Sequence, residues 1–347
     1  MKVGTIMDRA LLKKWKNKEF HACYLLYGKE QFLLQESLRF LQKCMDLEDS
    51  DWGFASFDLE ETPIEKVIEE AETAPFLSAQ RLIVATNAWF LTGSKKNNHV
   101  HHHTDQLLQY LEHPVSTSVL VLVVPSDQLD RRKKLVKQLQ KQAEVCEFNS
   151  LSGAGLKKWV MKQCKQYQVS ITDEACQQLI DLVGNDLFSL HQECVKCATY
   201  VGAGETIERE QVQKLVPRSL EQNVFQLVGQ LVERRLDNVL KIWYDLLAQK
   251  EEPIRIMALI LRQIRLLLHV KLLLEQGKSE REIAKQLQSH PYPVKLAAQQ
   301  GKKYAEQTLR KLMLEALTAD QQMKTRSCDR QIVMERLFFS WRTPNHN

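Results

Sequence analysis

The six residues Val119 to Val124 carry no polar side chain, and the run stops at Pro125. A strand with one wet face alternates apolar and polar residues. An unbroken run of this kind predicts a strand covered on both faces, and hence a parallel sheet sandwiched by helices. Shorter strand candidates lie at Ala22 to Tyr27, Ser56 to Leu59, Arg81 to Ala85 and Val145 to Phe148. Helical periodicity fills the gaps: Leu34, Leu38 and Leu41 share one face after Gly28, and Ile64, Val67, Ile68 and Ala71 share another before Pro75. For the second of these helices Thr62 is the expected N-cap, with Pro63 at the first helical position and Glu65 reaching back. Strands separated by helices predict a three-layer α/β domain. The stretch from Gly93 to Thr104 is rich in Lys, Asn and His and reads as a surface loop.

After Ser150 the character changes, and no strand is expected again. Ser152 or Gly153 opens a helix through Tyr167, Thr172-Asp173-Glu174 opens another, and Gly184-Asn185-Asp186 is a stop followed by a fresh cap. Gly202-Ala203-Gly204 closes this small bundle, and a longer all-helical block runs from about Ser219 to Trp341. The expected organisation is an α/β domain at 1–149, a small helical domain at 150–217 and a larger helical domain at 218–347. Ile254 to Leu274 has membrane-spanning length, but Arg255, Arg262, Arg265 and Lys271 interrupt it, so it reads as a buried helix.

The 347 residues can build a sizeable core, and the net charge of +5 permits contact with nucleic acid without demanding it. The eight cysteines show no regular framework, and no apolar signal-peptide run opens the chain. A reducing, cytoplasmic setting with free thiols is expected.

The turn Tyr27-Gly28-Lys29-Glu30-Gln31 begins as a nucleotide-binding loop does, with strand, glycine, lysine and helix. A working loop reads Gly-x-x-x-x-Gly-Lys-Ser/Thr: successive backbone N–H groups wrap the phosphates, the lysine neutralises them and the hydroxyl holds magnesium. Here no glycine lies four or five residues upstream of Gly28, and Glu30 stands where the hydroxyl belongs. The acidic strand end that would complete the site is missing too, since Val119 to Val124 runs into Pro125-Ser126, with Asp127 beyond. No catalytic residue and no cofactor are expected.

The residues also resemble a family, the delta subunit of the bacterial DNA polymerase III clamp loader. The carrying segments are Tyr24-Leu25-Leu26-Tyr27-Gly28-Lys29-Glu30, Thr73-Ala74-Pro75-Phe76-Leu77 leading into Arg81-Leu82-Ile83-Val84, Ile171-Thr172-Asp173-Glu174-Ala175 and Gly184-Asn185-Asp186-Leu187. Ser219-Leu220-Glu221-Gln222-Asn223-Val224-Phe225, Glu251-Glu252-Pro253-Ile254 and His290-Pro291-Tyr292-Pro293-Val294-Lys295 complete the set. Their order and spacing are specific together, and Phe90-Leu91-Thr92-Gly93 with its following lysines looks most like the Gram-positive branch. The resemblance implies an AAA+-like (P-loop-type) N-terminal domain without a functional phosphate loop, followed by two all-α domains, a lid and a collar. It also implies the partners: the beta sliding clamp, the ATP-hydrolysing tau/gamma subunits, delta-prime, and primed DNA within the complex, with no membrane.

On this resemblance Phe76, with Pro75 and Leu77, is the clamp-binding candidate, because an apolar pair at this place in the family enters a hydrophobic pocket of the clamp. The order Pro-Phe-Leu leaves both Pro75 and Leu77 as candidates for the second anchor. From the residues alone, packing of Phe76 beneath its own loop is the favoured reading, and the resemblance reverses that preference. Arg131, Arg132, Lys133 and Lys134 are either a solvated helix start or a contact to DNA phosphates. Cys194 and Cys197, with Cys164 and Cys176 nearby in sequence, read as buried thiols in helices rather than a zinc site, and His99, His101, His102 and His103 as a His-rich polar loop, so no metal is expected. Arg326-Ser327-Cys328 reverses the first two residues of the Ser-Arg-Cys of the ATPase subunits and is assigned no role. Two other readings remain: an ATP-dependent AAA+ remodeller with a divergent loop, and a DNA-binding regulator using residues 279–296 as a helix-turn-helix.

Overall fold

The computed structural model describes residues 9–47, 52–75, 79–93, 100–325 and 328–341. The chain divides into two compact units, Met1–Leu151 and Ser152–Asn347. In the first, the described elements are α1 (Arg9–Lys16), β1 (Cys23–Gly28), α2 (Gln31–Cys44), β2 (Phe54–Asp58), α3 (Ile64–Glu72), β3 (Arg81–Thr86), α4 (Thr104–Glu112), β4 (Ser118–Val124), α5 (Lys134–Gln142) and β5 (Glu144–Phe148). The strands form one parallel sheet in the order β2-β3-β4-β1-β5.

Every residue of β4 and of β1 is buried, as the unbroken apolar run requires. The two-residue alternation of a strand sends Leu25, Ile83, Leu120 and Leu122 into one core with Ile64, Val67, Leu107, Leu111, Val136 and Leu139 of α3, α4 and α5. The alternate residues face the other way. There the Trp15 indole N–H of α1 donates to the Tyr24 hydroxyl at 2.9 Å, and the two rings stand edge to face at 5.6 Å.

The start of α3 differs from the expected capping box. Pro63 is the cap residue and its side chain supplies no acceptor, so the helix opens at Ile64. The Ile64 N–H donates instead to Nδ1 of His102, 3.2 Å away, and Glu65 accepts from the His103 N–H at 3.1 Å. A donor that proline cannot help to satisfy is met from a segment distant in sequence. The end of the His-rich stretch is therefore a structural strap rather than a free loop.

This cap requires a neutral His102 ring, with the proton on Nε2. Burial lowers its pKa below the ordinary 6.5, opposed by the Glu65 carboxylate. The stabilisation is therefore complete above 6.5 and is lost as pH falls through the folded-state value. His102→Asn keeps an acceptor at the same reach but does not titrate. Between about pH 7.5 and about pH 5.5 the parent's urea midpoint is expected to fall more than that of His102→Asn. Identical pH profiles would show that the cap does not carry the dependence.

The second unit opens with α6 (Gly153–Gln166), β6 (Ser170–Ile171), α7 (Asp173–Val183), α8 (Leu187–Val201), β7 (Thr206–Ile207) and α9 (Arg209–Leu215). The caps fall where the sequence places them: Thr172 accepts from the Ala175 N–H at 3.3 Å and Asp186 from the Ser189 N–H at 2.8 Å. The expectation of no strand is corrected by β6 and β7, which pair in parallel over two residues each. Strands so short, placed directly against helix caps, leave no periodic trace.

Helices α10 (Leu220–Val232), α11 (Leu236–Ala248), α12 (Pro253–Glu275), α13 (Glu280–Gln286), α14 (Pro291–Gly301), α15 (Glu306–Thr325) and α16 (Arg330–Ser340) follow. One apolar cluster runs through them, with Ile256, Ile260, Ile264, Leu267 and Val270 of α12 fully buried. Arg255, Arg262 and Arg265 lie on the exposed side of that helix. None of the described helices is long and apolar enough to cross a membrane.

Candidate functional site

Strand β1 lies between β4 and β5, with Tyr27 level with Val124 on one side and Gly28 level with Phe148 on the other. The turn after β1 therefore opens at the carboxyl edge of the sheet, where open α/β folds place their ligands. Gly28 has φ +149°, and a Cβ built on it would stand 2.0 Å from the Phe148 carbonyl oxygen. The Glu30 N–H donates to that same oxygen at 3.3 Å. Lys29 Nζ lies 3.1 Å from Oδ2 of Asp127, just beyond β4. The amide and the cation that a phosphate loop would turn toward its anion are thus directed at β5 and at a carboxylate of the same chain. The glycine serves close strand approach.

Pro75 is half-buried just past α3, whereas Phe76 and Leu77 lie outside the described residues. Arg81, the first residue of β3, is buried, and its Nη1 donates to the Glu70 carbonyl at 3.1 Å and the Thr73 carbonyl at 3.3 Å. Its Nη2 is paired with the Glu70 carboxylate.

The basic cluster ahead of α5 is not a uniform solvated run. Arg132 grips Asp130 through two bonds of 2.9 and 3.0 Å, and that guanidinium holds the Asp130 carboxyl down at about 2. Lys133 Nζ donates to the carbonyls of Phe90 at 2.7 Å and Thr92 at 2.9 Å, tying down a separate loop. Arg131 sits beside Tyr27, whose hydroxyl is pushed up to about 12 by burial and by Glu147, with Arg131 opposing. Lys134 is exposed at the first position of α5.

Cys164, Cys176, Cys194 and Cys197 are buried free thiols on α6, α7 and α8. Burial raises Cys176 to about 12 and Cys197 to about 11, which suppresses thiolate chemistry. Among the described residues no cluster of His, Cys, Asp and Glu has the makings of a metal site. His99, Arg326 and Ser327 fall outside the described residues.

The 279–296 segment does form two capped helices. Ser279 and Glu282 close a capping box on α13, and His290 Nδ1 accepts from the Tyr292 N–H at 3.0 Å to open α14. However, Val294, Ala297 and Ala298 of α14 belong to the apolar cluster around α12, and the Tyr292 hydroxyl donates to the Ile180 carbonyl at 3.4 Å. The pair is packed into its own unit on this face, with Lys295 pointing outward.

Two family models match the chain: the DNA polymerase III delta subunit over residues 24–149, and the C-terminal domain of that subunit over residues 221–341. The chain is also 41% identical over 324 residues to the DNA polymerase III subunit delta of Bacillus subtilis, covering 93% of both chains. This chain belongs to the DNA polymerase III delta subunit family. A solved structure, the Bacillus subtilis DNA clamp loader delta protein, superposes with a TM-score of 0.78 at 40% identity, covering 96% of this chain and 99% of that one. The probable delta subunit of Aquifex aeolicus is 22% identical over 265 residues, covering 74% of this chain and 72% of that protein. As a delta subunit, the chain is an accessory component of the replicative DNA polymerase, with the parallel α/β unit and mostly helical remainder of the clamp loader delta structure.

Three features of this delta subunit escape sequence reasoning: the His102 strap, the Lys133 bonds to carbonyls and the Arg81 tie. Each joins a side chain to a backbone carbonyl or N–H far along the chain, which residue type alone does not announce. The only local hint is an arginine at the head of an otherwise apolar strand.

Proposed function

We propose that this chain binds the beta sliding clamp and opens it for loading onto primed DNA, while neighbouring tau/gamma subunits hydrolyse ATP and delta-prime completes the loader. The reading rests on the family and on one observation: the Gly28-Lys29-Glu30 turn spends its amide on Phe148 and its cation on Asp127. Residues 150–217 serve as a lid and 218–347 as the collar that joins the ring of subunits. Pro75, Phe76 and Leu77 form the clamp contact, with Phe76 as central anchor. Contacts to primer–template phosphates fall to the cluster Arg131, Arg132, Lys133 and Lys134, within which Arg131 faces Tyr27, Arg132 faces Asp130, Lys133 faces the Phe90 and Thr92 carbonyls and Lys134 is exposed. The setting is the cytoplasm, where replication runs and the thiols stay reduced.

Phe76→Ala combined with Leu77→Ala is expected to weaken binding to the sliding clamp of the same organism on the order of a hundredfold, with the melting temperature unchanged. Parent-like affinity in the folded variant would remove the site. Micromolar binding of labelled ATP to the isolated chain, with turnover, would instead favour a remodelling ATPase.

A further inference from the structure

We propose that α6 carries a second surface for the phosphates of duplex DNA, an inference that rests on reading this chain as a loader subunit that meets primed DNA. The helix Gly153–Gln166 holds four lysines and no aspartate or glutamate. One side of it is core: Leu156, Trp159, Val160 and Cys164 are buried in the second unit. Lys158, Lys162 and Lys165 stand exposed on the other side. Their spacing of four and then three residues puts them in a single stripe. Seven residues of helix rise about 10 Å, which matches three base-pair steps of a duplex at about 3.4 Å each.

Such a stripe is not what a merely solvated helix face requires. Like charges one turn apart weaken a helix, and mixing the two signs removes that cost. The same unit does mix them elsewhere: Lys196 of α8, Arg255 and Lys271 of α12, and Arg310 and Lys324 of α15 each pair with a carboxylate three or four residues away. In α6 only Lys157, on the flank of the stripe, is matched, its Nζ lying 2.9 and 3.1 Å from the Asp173 carboxylate oxygens. Among the described residues no side-chain hydrogen bond or ion pair holds Lys158, Lys162 or Lys165. The stripe also lacks an exposed aromatic or large aliphatic residue of the kind that anchors a protein partner. A row of point charges without such an anchor suits a regular polyanion, met through its backbone and without regard to sequence.

The test follows binding of the full-length chain to a labelled duplex of about 20 base pairs by fluorescence anisotropy, between about 50 and 200 mM salt. Lys158→Gln/Lys162→Gln/Lys165→Gln is expected to weaken binding on the order of tenfold or more at the low-salt end. Its slope of log affinity against log salt is expected to be shallower by about 2 to 3. The control Lys302→Gln/Lys303→Gln/Lys311→Gln removes the same charge from exposed lysines elsewhere in the unit and is expected to bind like the parent. An equal loss in the control overturns the proposal, as does parent-like binding by the folded α6 variant or a parent that binds no DNA. A loss seen with the single strand and not with the duplex overturns the assignment to duplex. If the triple variant does not fold, Lys162→Glu is compared with Lys162→Gln, and equal affinities overturn the proposal. Clamp binding by the parent, measured alongside, judges the loader reading separately: a chain that ignores the clamp but loses DNA with its α6 lysines keeps this surface and removes that reading.

Discussion

Gly28→Ala is expected to destabilise the α/β unit by about 3 kcal/mol or more, moving the urea midpoint down by about 1 M or more. The added Cβ has nowhere to go: the Phe148 carbonyl oxygen, carbonyl carbon and Cα would lie 2.0, 2.6 and 2.9 Å away. These are backbone atoms of a paired strand, so no side-chain rotation relieves the clash. The φ of +149° adds strain for any residue with a side chain. Relief would require β1 and β5 to separate where Gly28 pairs with Phe148, which also breaks the bond from the Glu30 N–H. Circular dichroism during urea titration measures the effect. A folded Gly28→Ala with the parent's midpoint would show that the turn can move aside. The outcome also speaks to role, because a glycine kept for an anion would tolerate alanine far better in the absence of ligand.

Trp243→Ala is expected to cost about 3–5 kcal/mol in the helical unit. Trp243 is fully buried on α11, and its ring meets Phe338 of α16 edge to face at 5.7 Å. Its indole N–H points to Oε1 of Glu335 at 3.4 Å, and the same oxygen accepts from the Tyr244 hydroxyl at 3.1 Å. Truncation leaves an indole-sized void between two helices and takes one donor from a carboxylate held at their seam. Trp243→Phe preserves most of the buried surface and loses only that donor, so its loss is expected to be well under half as large. Equal losses in the two variants would mean that the polar link, not the packing, holds α11 to α16.

The architecture was legible wherever a pattern is local. The apolar run at Val119–Val124 predicts a strand covered on both faces, and β4 is buried throughout. Thr172, Asp186 and Ser279 announce helix starts because a short polar side chain can reach the first orphan N–H groups only from the cap position. Thr62 failed the same rule since its role passed to a histidine 40 residues on, a substitution that only the packing of α4 beside α3 makes available. The missing phosphate-loop residues were visible as absences, but what replaced them was not. The pairing of Lys29 with Asp127 depends on β1 and β4 being neighbours, a fact of sheet order rather than of either segment.

That pairing bears on reversibility. Restoring a hydroxyl at Glu30 would leave Lys29 matched to Asp127, the Glu30 N–H committed to Phe148, and the turn several residues too short to wrap an anion. Lengthening it would have to begin at Gly28, which is pressed against a neighbouring strand. Each repair alone costs stability and yields no ligand binding in return, so the steps back toward a nucleotide site lead downhill in fitness before they lead up. A lineage that reaches this arrangement is held in it.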